Sequence, residues 1–212
     1  MLSVCIITKN EETNIERCLA SLSGYGFELV VADTGSTDGT REVVKKYTER
    51  LYEFPWRDDF AAAKNYVVSK ASHDLVLVVD SDEFLQPLPE ETVKTLEELA
   101  GQNQDKLGRI LRRNVLSKDG VYQENREWIN RIFDRRKFHY EGRIHEQLVP
   151  IDNGRTIRQE EDQPWLSPLI FLHTGYNLSV EEKKKKAQRN ISLLKVELNN
   201  IREKLASIGK DR

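Results

Sequence analysis

Leu75-Val76-Leu77-Val78-Val79 is an unbroken apolar run that gives way at once to Asp80-Ser81-Asp82. A run this short, rich in β-branched residues and free of polar alternation, predicts a strand buried on both faces, as in a parallel sheet covered by helices on each side. Two earlier segments share the design. Ser3-Val4-Cys5-Ile6-Ile7 opens into Thr8-Lys9-Asn10-Glu11-Glu12, and Glu28 to Ala32 opens into Asp33-Thr34-Gly35-Ser36-Thr37-Asp38-Gly39-Thr40. In a parallel sheet the carboxyl ends of neighbouring strands face one crevice, so motifs far apart in sequence can converge on one ligand. Asp80 and Asp82, two apart at the mouth of a strand, are hard oxygen ligands suited to Mg2+ or Mn2+ carrying a diphosphate.

Between these strands lie helical patterns. Ile15, Cys18, Leu19 and Leu22 recur at helical spacing and stop at Gly24 and Gly26. Ser36 or Thr37 is placed to cap a second helix with Val43, Val44, Tyr47 and Leu51 on its buried side. Leu51 to Phe54 reads as a third strand, Phe60 to Ser72 as a third helix, and Pro87 and Pro89 open a fourth through Val93, Leu96 and Leu99. Strands separated by single helices imply right-handed crossovers and a doubly wound sheet. From Leu107 to Leu148 the segments alternate and are broken by turn signals such as Lys118-Asp119-Gly120, which predicts short antiparallel strands, with Trp128 to Phe133 the clearest. Asn153 to Pro164 reads as an irregular loop, and Leu169 to Leu172 as a last strand delivering His173-Thr174-Gly175-Tyr176. The expected fold is α/β: an open, twisted, mostly parallel Rossmann-like sheet with a small antiparallel portion and a long C-terminal helix.

In that helix Ala187, Ile191, Leu194, Leu198, Ile201, Leu205 and Ile208 step by four and three in turn, a heptad stripe that suits a coiled-coil seam, a partner helix or docking on its own domain. The domain plan is residues 1–178 as one unit, with a ligand-binding half 1–100 and a second half 101–178, followed by the helix 179–212.

Composition excludes some classes. In 212 residues, 33 Lys and Arg against 35 Asp and Glu leave a formal charge of −2, which gives no reason to expect nucleic acid. The basic run Lys183 to Lys186 and the arginines at 109, 112, 113, 126, 131, 135, 136 and 143 are local exceptions, read as solvated strand faces or as an anion site. Cys5 and Cys18 fall on apolar positions and are expected to pack in the core, in keeping with a reducing compartment. No stretch approaches about 18 consecutive apolar residues, and the chain enters a strand without a leader pattern, so a soluble cytoplasmic protein is expected.

Taken in order and spacing, the segments Ser3 to Glu11, Val31 to Thr40, Ala63-Lys64-Asn65 and Val79 to Glu83 resemble glycosyltransferase family 2 enzymes of the GT-A fold. Arg131-Ile132-Phe133, His145-Glu146 and His173 to Tyr176 are similar to the branch containing lipopolysaccharide-core glucosyltransferases and bacteriocin peptide S-glycosyltransferases. In that branch a helical-repeat region often follows the catalytic domain, which would explain the heptad helix. The resemblance implies a metal-dependent inverting transferase that moves a hexose, glucose by family weighting, from a UDP-sugar to a peptide, lipid-linked or saccharide acceptor. Thr8, Glu11 and Asp33 would hold uridine, Lys64 would approach the diphosphate, and Asp80 would reach the ribose. Asp82 would ligate Mn2+ or Mg2+, with His173 as a further ligand and Tyr176 nearby. Glu146 would be the base, with Glu141 and Asp134 as fallbacks, and His145 would position acceptor or diphosphate. Arg131, Arg135 and Arg143 could balance phosphate charge, and Trp128, Trp165 and Tyr140 could form a platform for the sugar.

Plainer readings stand beside these. Asp33 and Asp38 suit turn and cap chemistry, Lys64 a helix surface, and His173 and His145 backbone hydrogen bonds. Two other functions compete: an inactive nucleotide-sugar-binding scaffold working through the heptad helix, and a nucleotidyltransferase. The second would call for a glycine-rich phosphate loop that Thr8-Lys9-Asn10-Glu11 does not supply. A homodimer through the helix is a further expectation.

Overall fold

The computed structural model describes residues 1–118, 121–151, 163–174 and 180–208. In chain order the elements are β1 (Ser3–Thr8), α1 (Glu12–Leu22), β2 (Glu28–Asp33), α2 (Thr40–Lys45), β3 (Leu51–Glu53), α3 (Phe60–Ser69), β4 (Leu75–Asp80) and β5 (Glu83–Leu85). They continue with α4 (Glu90–Gln102), β6 (Gly108–Lys118), β7 (Val121–Asp134), β8 (Phe138–Glu141), β9 (Gln147–Pro150), β10 (Trp165–His173) and α5 (Val180–Ile208). Eight strands form one sheet in the order β3-β2-β1-β4-β7-β6-β10-β5, and β8 and β9 pair antiparallel in a second. The run β3-β2-β1-β4 is parallel, as expected from strands joined by single helices.

The apolar strands are buried on both faces because each face has its own helical cover. Val4 and Ile6 of β1 join Val31, Leu77 and Val79 against Ile15, Cys18, Leu19 and Leu22 of α1, Val43 and Val44 of α2, and Leu96 of α4. Cys5, Ile7, Val30, Ala32, Val76 and Val78 point the other way, against Ala63 and Val67 of α3 and against Phe133, Phe138, Tyr140 and Leu148. Each such aliphatic side chain contributes about 1.5–3 kcal/mol when withdrawn from water. Both cysteines are buried and unbonded in this core, and burial pushes the Cys5 thiol up to about 12.

A second constraint curls the sheet. β4 ends at Asp80 and β5 begins at Glu83, yet in sheet order β5 lies four strands away. Flat, that separation would be about 19 Å, whereas three residues reach about 10 Å at most. The sheet must therefore roll until its β10-β5 edge faces the end of β4. Pairing of β4 with β7 stops at Leu77↔Ile132, one residue short of Arg131, which opens the gap that the roll requires.

Several local expectations need correction. The antiparallel portion consists mainly of the long β6–β7 hairpin, around a turn whose Asp119 and Gly120 lie outside the described residues. α2 begins at Thr40, with Asp38 rather than Ser36 or Thr37 accepting the Thr40 N–H. α3 ends at Ser69 rather than Ser72. Most of the expected loop, residues 153–162, lies outside the described residues, and Trp165, just after it, starts β10 and packs over Gly108. Along α5 Leu193 is 2% exposed and Arg189 stacks over the Phe60 ring, whereas Ile191, Leu194, Leu198 and Ile201 of the heptad stripe are 47–51% exposed. Among the described residues no helix is long and apolar enough to cross a membrane.

Gly108 is the tightest joint of the rolled half. A Cβ there would meet Trp165 Cζ2 at 2.5 Å and Ile132 Cβ at 2.9 Å. Gly108→Ala is expected to destabilise the protein by about 1–3 kcal/mol through overpacking, read as a lower urea midpoint at unchanged slope; an unchanged midpoint would mean the ring moves aside freely.

Candidate active site

Register places the strand ends level: Thr8 lies opposite Asp33 and Ile7 opposite Asp80. The loops leaving β1 and β2 are fastened to each other. Asn10, at φ 54, receives the Thr37 N–H on Oδ1 at 2.8 Å and donates its own N–H to Ser36 Oγ at 2.9 Å. Glu11 N–H donates to Thr40 Oγ1 at 2.8 Å, and Asp38 accepts from Thr40 and from Glu12, so one carboxylate serves the starts of both α1 and α2. Asp33 is buried and receives the N–H groups of Gly35 and Ser36 at 3.1–3.3 Å. Gly35 sits at φ 105, where a side chain would be strained. The turn chemistry expected of Asp33 is thus present. Thr8 Oγ1 is buried and has no hydrogen-bond partner among the described residues. Glu11 lies close enough to Asp82 for the two charges to interact: burial chiefly, with Asp82 adding to it against an Asn14 hydrogen bond, raises its pKa.

At the end of β4 a chain of charges crosses the crevice. Glu146 Oε1 accepts from Lys64 Nζ at 2.6 Å, and Lys64 also lies 3.2 Å from Asp80 Oδ1. Asp80 Oδ2 accepts from Arg131 at 2.5 Å, and Arg131 reaches Glu83 at 3.1 Å. Glu83 takes Arg112 at 3.0 Å, Arg112 pairs with Glu127 at 2.7 Å, and Glu127 accepts from Asn114 at 2.6 Å. Burial opposes the ionised form of Asp80, but Arg131 and Lys64 outweigh it and hold the carboxyl far below the usual carboxylate range. Burial likewise opposes the Lys64 ammonium, which Asp80 and Glu146 raise above the ordinary lysine value against Arg131.

The turn bearing Glu146 is docked by backbone matching. Asn65 of α3 donates from Nδ2 to the Tyr140 carbonyl and accepts the Tyr140 N–H, both at 2.8 Å. Phe60 N–H donates to the Arg143 carbonyl at 3.0 Å. Gly142 and His145 within this turn have φ of 94 and 55. Tyr140 stands edge-on to Phe133, with its hydroxyl buried and without a hydrogen-bond partner among the described residues.

Asp82 and His173 meet from opposite sides of the roll. Asn114 donates to Glu127, which leaves its Oδ1 to accept His173 Nδ1–H at 2.7 Å. His173 Nε2 lies 3.3 Å from Asp82 Oδ2. An imidazole and a carboxylate brought this close are a ligand pair that suits Mn2+. Among the described residues no group of three or more His, Cys, Asp or Glu is placed to hold a metal, so any ion would complete its shell with phosphate oxygens and water.

Thr8, Glu11, Asp33, Lys64, Asp80, Asp82, Glu146 and His173 therefore gather at one end of the sheet. Tyr176 lies outside the described residues. His145 adjoins Glu146 with its side chain exposed. Asp134 and Arg135 do not join the site: β7 runs antiparallel to β4, and Asp134 lies opposite Leu75, at the far end from Asp80. Arg135 instead donates to the His73 carbonyl. Glu141 is exposed at the end of β8, beside His139. Arg143 reaches the Asp58 carbonyl. Trp165 is a packing residue, whereas Trp128 is 42% exposed on β7. Glu83, Asn114, Glu127 and the docking role of Asn65 were not foreseen, and Arg112 was singled out only as one of a group of arginines; the signals were the place of Glu83 and Asn65 inside the recognised motifs and the arginine density.

Residues 3–151 match the model of glycosyl transferase family 2. A TPR repeat-containing protein of Synechococcus elongatus is 40% identical over 84 residues, 40% of this chain and 21% of its own length. The lipopolysaccharide core biosynthesis glycosyltransferase LpsC of Rhizobium meliloti is 35% identical over 168 residues, covering 73% of this chain and 60% of its own. Glycosyltransferase SunS of Bacillus subtilis is 27% identical over 204 residues, covering 89% and 43%. The crystal structure of S. aureus TarS 1–349 aligns over 57% of this chain and 38% of its own at 28% identity, with a TM-score of 0.46. The chain thus spans between about a fifth and three-fifths of the length of these curated relatives. The family model covers most of the chain, including every strand end that builds the crevice except that of β10, and on that ground the chain belongs to glycosyl transferase family 2.

Proposed function

We propose that this chain is the catalytic domain of a metal-dependent inverting glycosyltransferase that moves a hexose, glucose in the first instance, from a UDP-sugar to a nucleophile on a larger acceptor. The observation that carries this reading is the meeting of Asp80, Asp82 and His173 at the mouth of β4, with the Glu146 carboxylate two ionic contacts from Asp80. Thr8, Glu11 and Asp33, level with Asp80, would take the uridine side, where the unpartnered Thr8 hydroxyl offers a buried donor. Asp80, fixed by Arg131, would receive the ribose hydroxyls. A divalent ion bound by Asp82 and His173 would neutralise the charge that grows on the departing diphosphate.

Glu146 would accept the proton of the acceptor nucleophile as that nucleophile attacks the anomeric carbon from the face opposite the diphosphate. The family resemblance supports UDP as the nucleotide, and the name of LpsC supports a lipid-linked saccharide among the acceptor classes, with peptide and other saccharide acceptors as alternatives. Residues 1–100 would form the donor half and 101–178 the acceptor half. The exposed stripe Ile191, Leu194, Leu198 and Ile201 supports cover by a helical-repeat region, as in the TPR repeat-containing relative, or by a second copy of the helix. Activity in the cytoplasm is part of the same reading.

The first test is a donor screen by UDP release with Mn2+, followed by mass spectrometry of glycosylated acceptors. Asp82→Ala is expected to lower metal-dependent donor turnover by about 10²–10³-fold with an unchanged melting temperature; wild-type turnover would remove Asp82 from the metal site. His173→Ala should shift the Mn2+ titration midpoint upward by about 10–100-fold, and an unmoved midpoint would return His173 to a purely structural role. Glu146→Gln should lower transfer by about 10²–10⁴-fold while UDP still binds, and undiminished transfer would eliminate it as the base.

A further inference from the structure

Lys64 touches both halves of the crevice. Its ammonium lies 3.2 Å from Asp80 on the donor side and 2.6 Å from Glu146 on the acceptor-side turn, at 4% residue exposure. The two carboxylates depend on it unequally. Asp80 has Arg131 on its other oxygen, whereas among the described residues Lys64 is the only ion-pair partner of Glu146.

The turn between them is closed by the Glu141↔Gln147 pair of β8 and β9 and docked on α3. Asn65 grips the backbone of Tyr140, and Phe60 grips that of Arg143. Within it His145 holds a φ of 55. The Lys64–Glu146 pair adds the one ion pair that ties the turn to α3 among the described residues.

We propose that Lys64 is a donor-sensing latch: before the donor binds it holds Glu146, and the phosphoryl oxygens arriving beside Asp80 draw its ammonium away, releasing the carboxylate toward the acceptor. The inference rests on the reading of Glu146 as base and of the crevice as donor site. A primary ammonium has three N–H donors but a single charge, so phosphoryl oxygens arriving beside Asp80 compete with the Glu146 carboxylate for it in a site with little water to screen them. The base is then free of its cation only once a donor is in place. Lys64 is in this sense a positioning residue.

Coupling of this kind is reciprocal: if UDP weakens the hold of Lys64 on Glu146, loss of Glu146 must strengthen UDP binding. The test is calorimetric titration of the full chain with UDP and Mn2+, combined with hydrogen exchange of the amides of residues 142–147. In the wild type, UDP is expected to speed exchange in that segment severalfold. Glu146→Gln should bind UDP more tightly by about fivefold or more, and should exchange fast in 142–147 with or without nucleotide. Lys64→Met, which breaks the same pair from the other side, should show that fast exchange too, but with weaker UDP binding. UDP binding with equal affinity in wild type and Glu146→Gln, or with unchanged or slowed exchange in 142–147, would overturn the latch and leave the donor reading intact. Failure of the wild type to bind UDP at all would overturn both.

Discussion

Arg131 is the cation on which the rest of the arrangement turns. From β7 it reaches Asp80 at the end of β4 and Glu83 at the start of β5, so one guanidinium grips both ends of the three-residue link that forces the sheet to roll. Arg112 of β6 takes Glu83 as well, and His173 of β10 faces Asp82. Every strand of the rolled half thus sends a side chain to residues 80–83. Buried ions of this kind add little net stability compared with well-packed apolar groups, but removing one partner costs about 3–5 kcal/mol because the other is left uncompensated. A cluster with that asymmetry specifies geometry more than it supplies stability.

The roll and the chemistry are the same constraint seen from two sides. A flat sheet in this strand order would leave His173 several strands from Asp82. The short link between Asp80 and Glu83 makes that impossible, and the antiparallel register His173↔Glu83 then fixes the imidazole beside the acidic pair. The hinge between the two halves is the point where β7 leaves β4 after Leu77, the position at which Arg131 enters the gap.

The parallel half was legible because burial on two faces leaves an unmistakable pattern: β1, β2 and β4 are apolar runs, and their ends fall where a parallel sheet must present ligands. The second half was legible only in part. Asp134 and Arg135 looked as eligible as Arg131, since charge is visible in sequence whereas strand direction is not; an antiparallel β7 sends its last residues to the end of β4 opposite the crevice. Most of the arginine crowd resolves into surface pairs, such as Arg113 and Arg126 on Glu124, and only Arg112 and Arg131 among them join the buried cluster. The heptad stripe is legible as an apolar pattern, but Leu193, outside that pattern, is the buried apolar residue of α5 among those described. Which face of an amphipathic helix is used depends on what the neighbouring surface offers, and that is set by residues far away in the chain.

The pairing of Lys64 with Glu146 shows the same limit most sharply. Eighty-two positions separate them, and neither helix periodicity nor strand alternation relates one to the other. Their meeting follows from Asn65, whose amide can match a strand backbone only if α3 lies along β8 in a single register. With that register set, Lys64, one residue earlier on the helix, is turned inward beneath the Tyr140 ring, its Nζ 5.4 Å from the ring centroid. There a cation is tolerable only because carboxylates approach from both sides. One carboxylate comes from the sheet and the other from the turn, so the burial of one lysine on α3 is what brings the end of β4 and the β8–β9 turn into electrostatic contact.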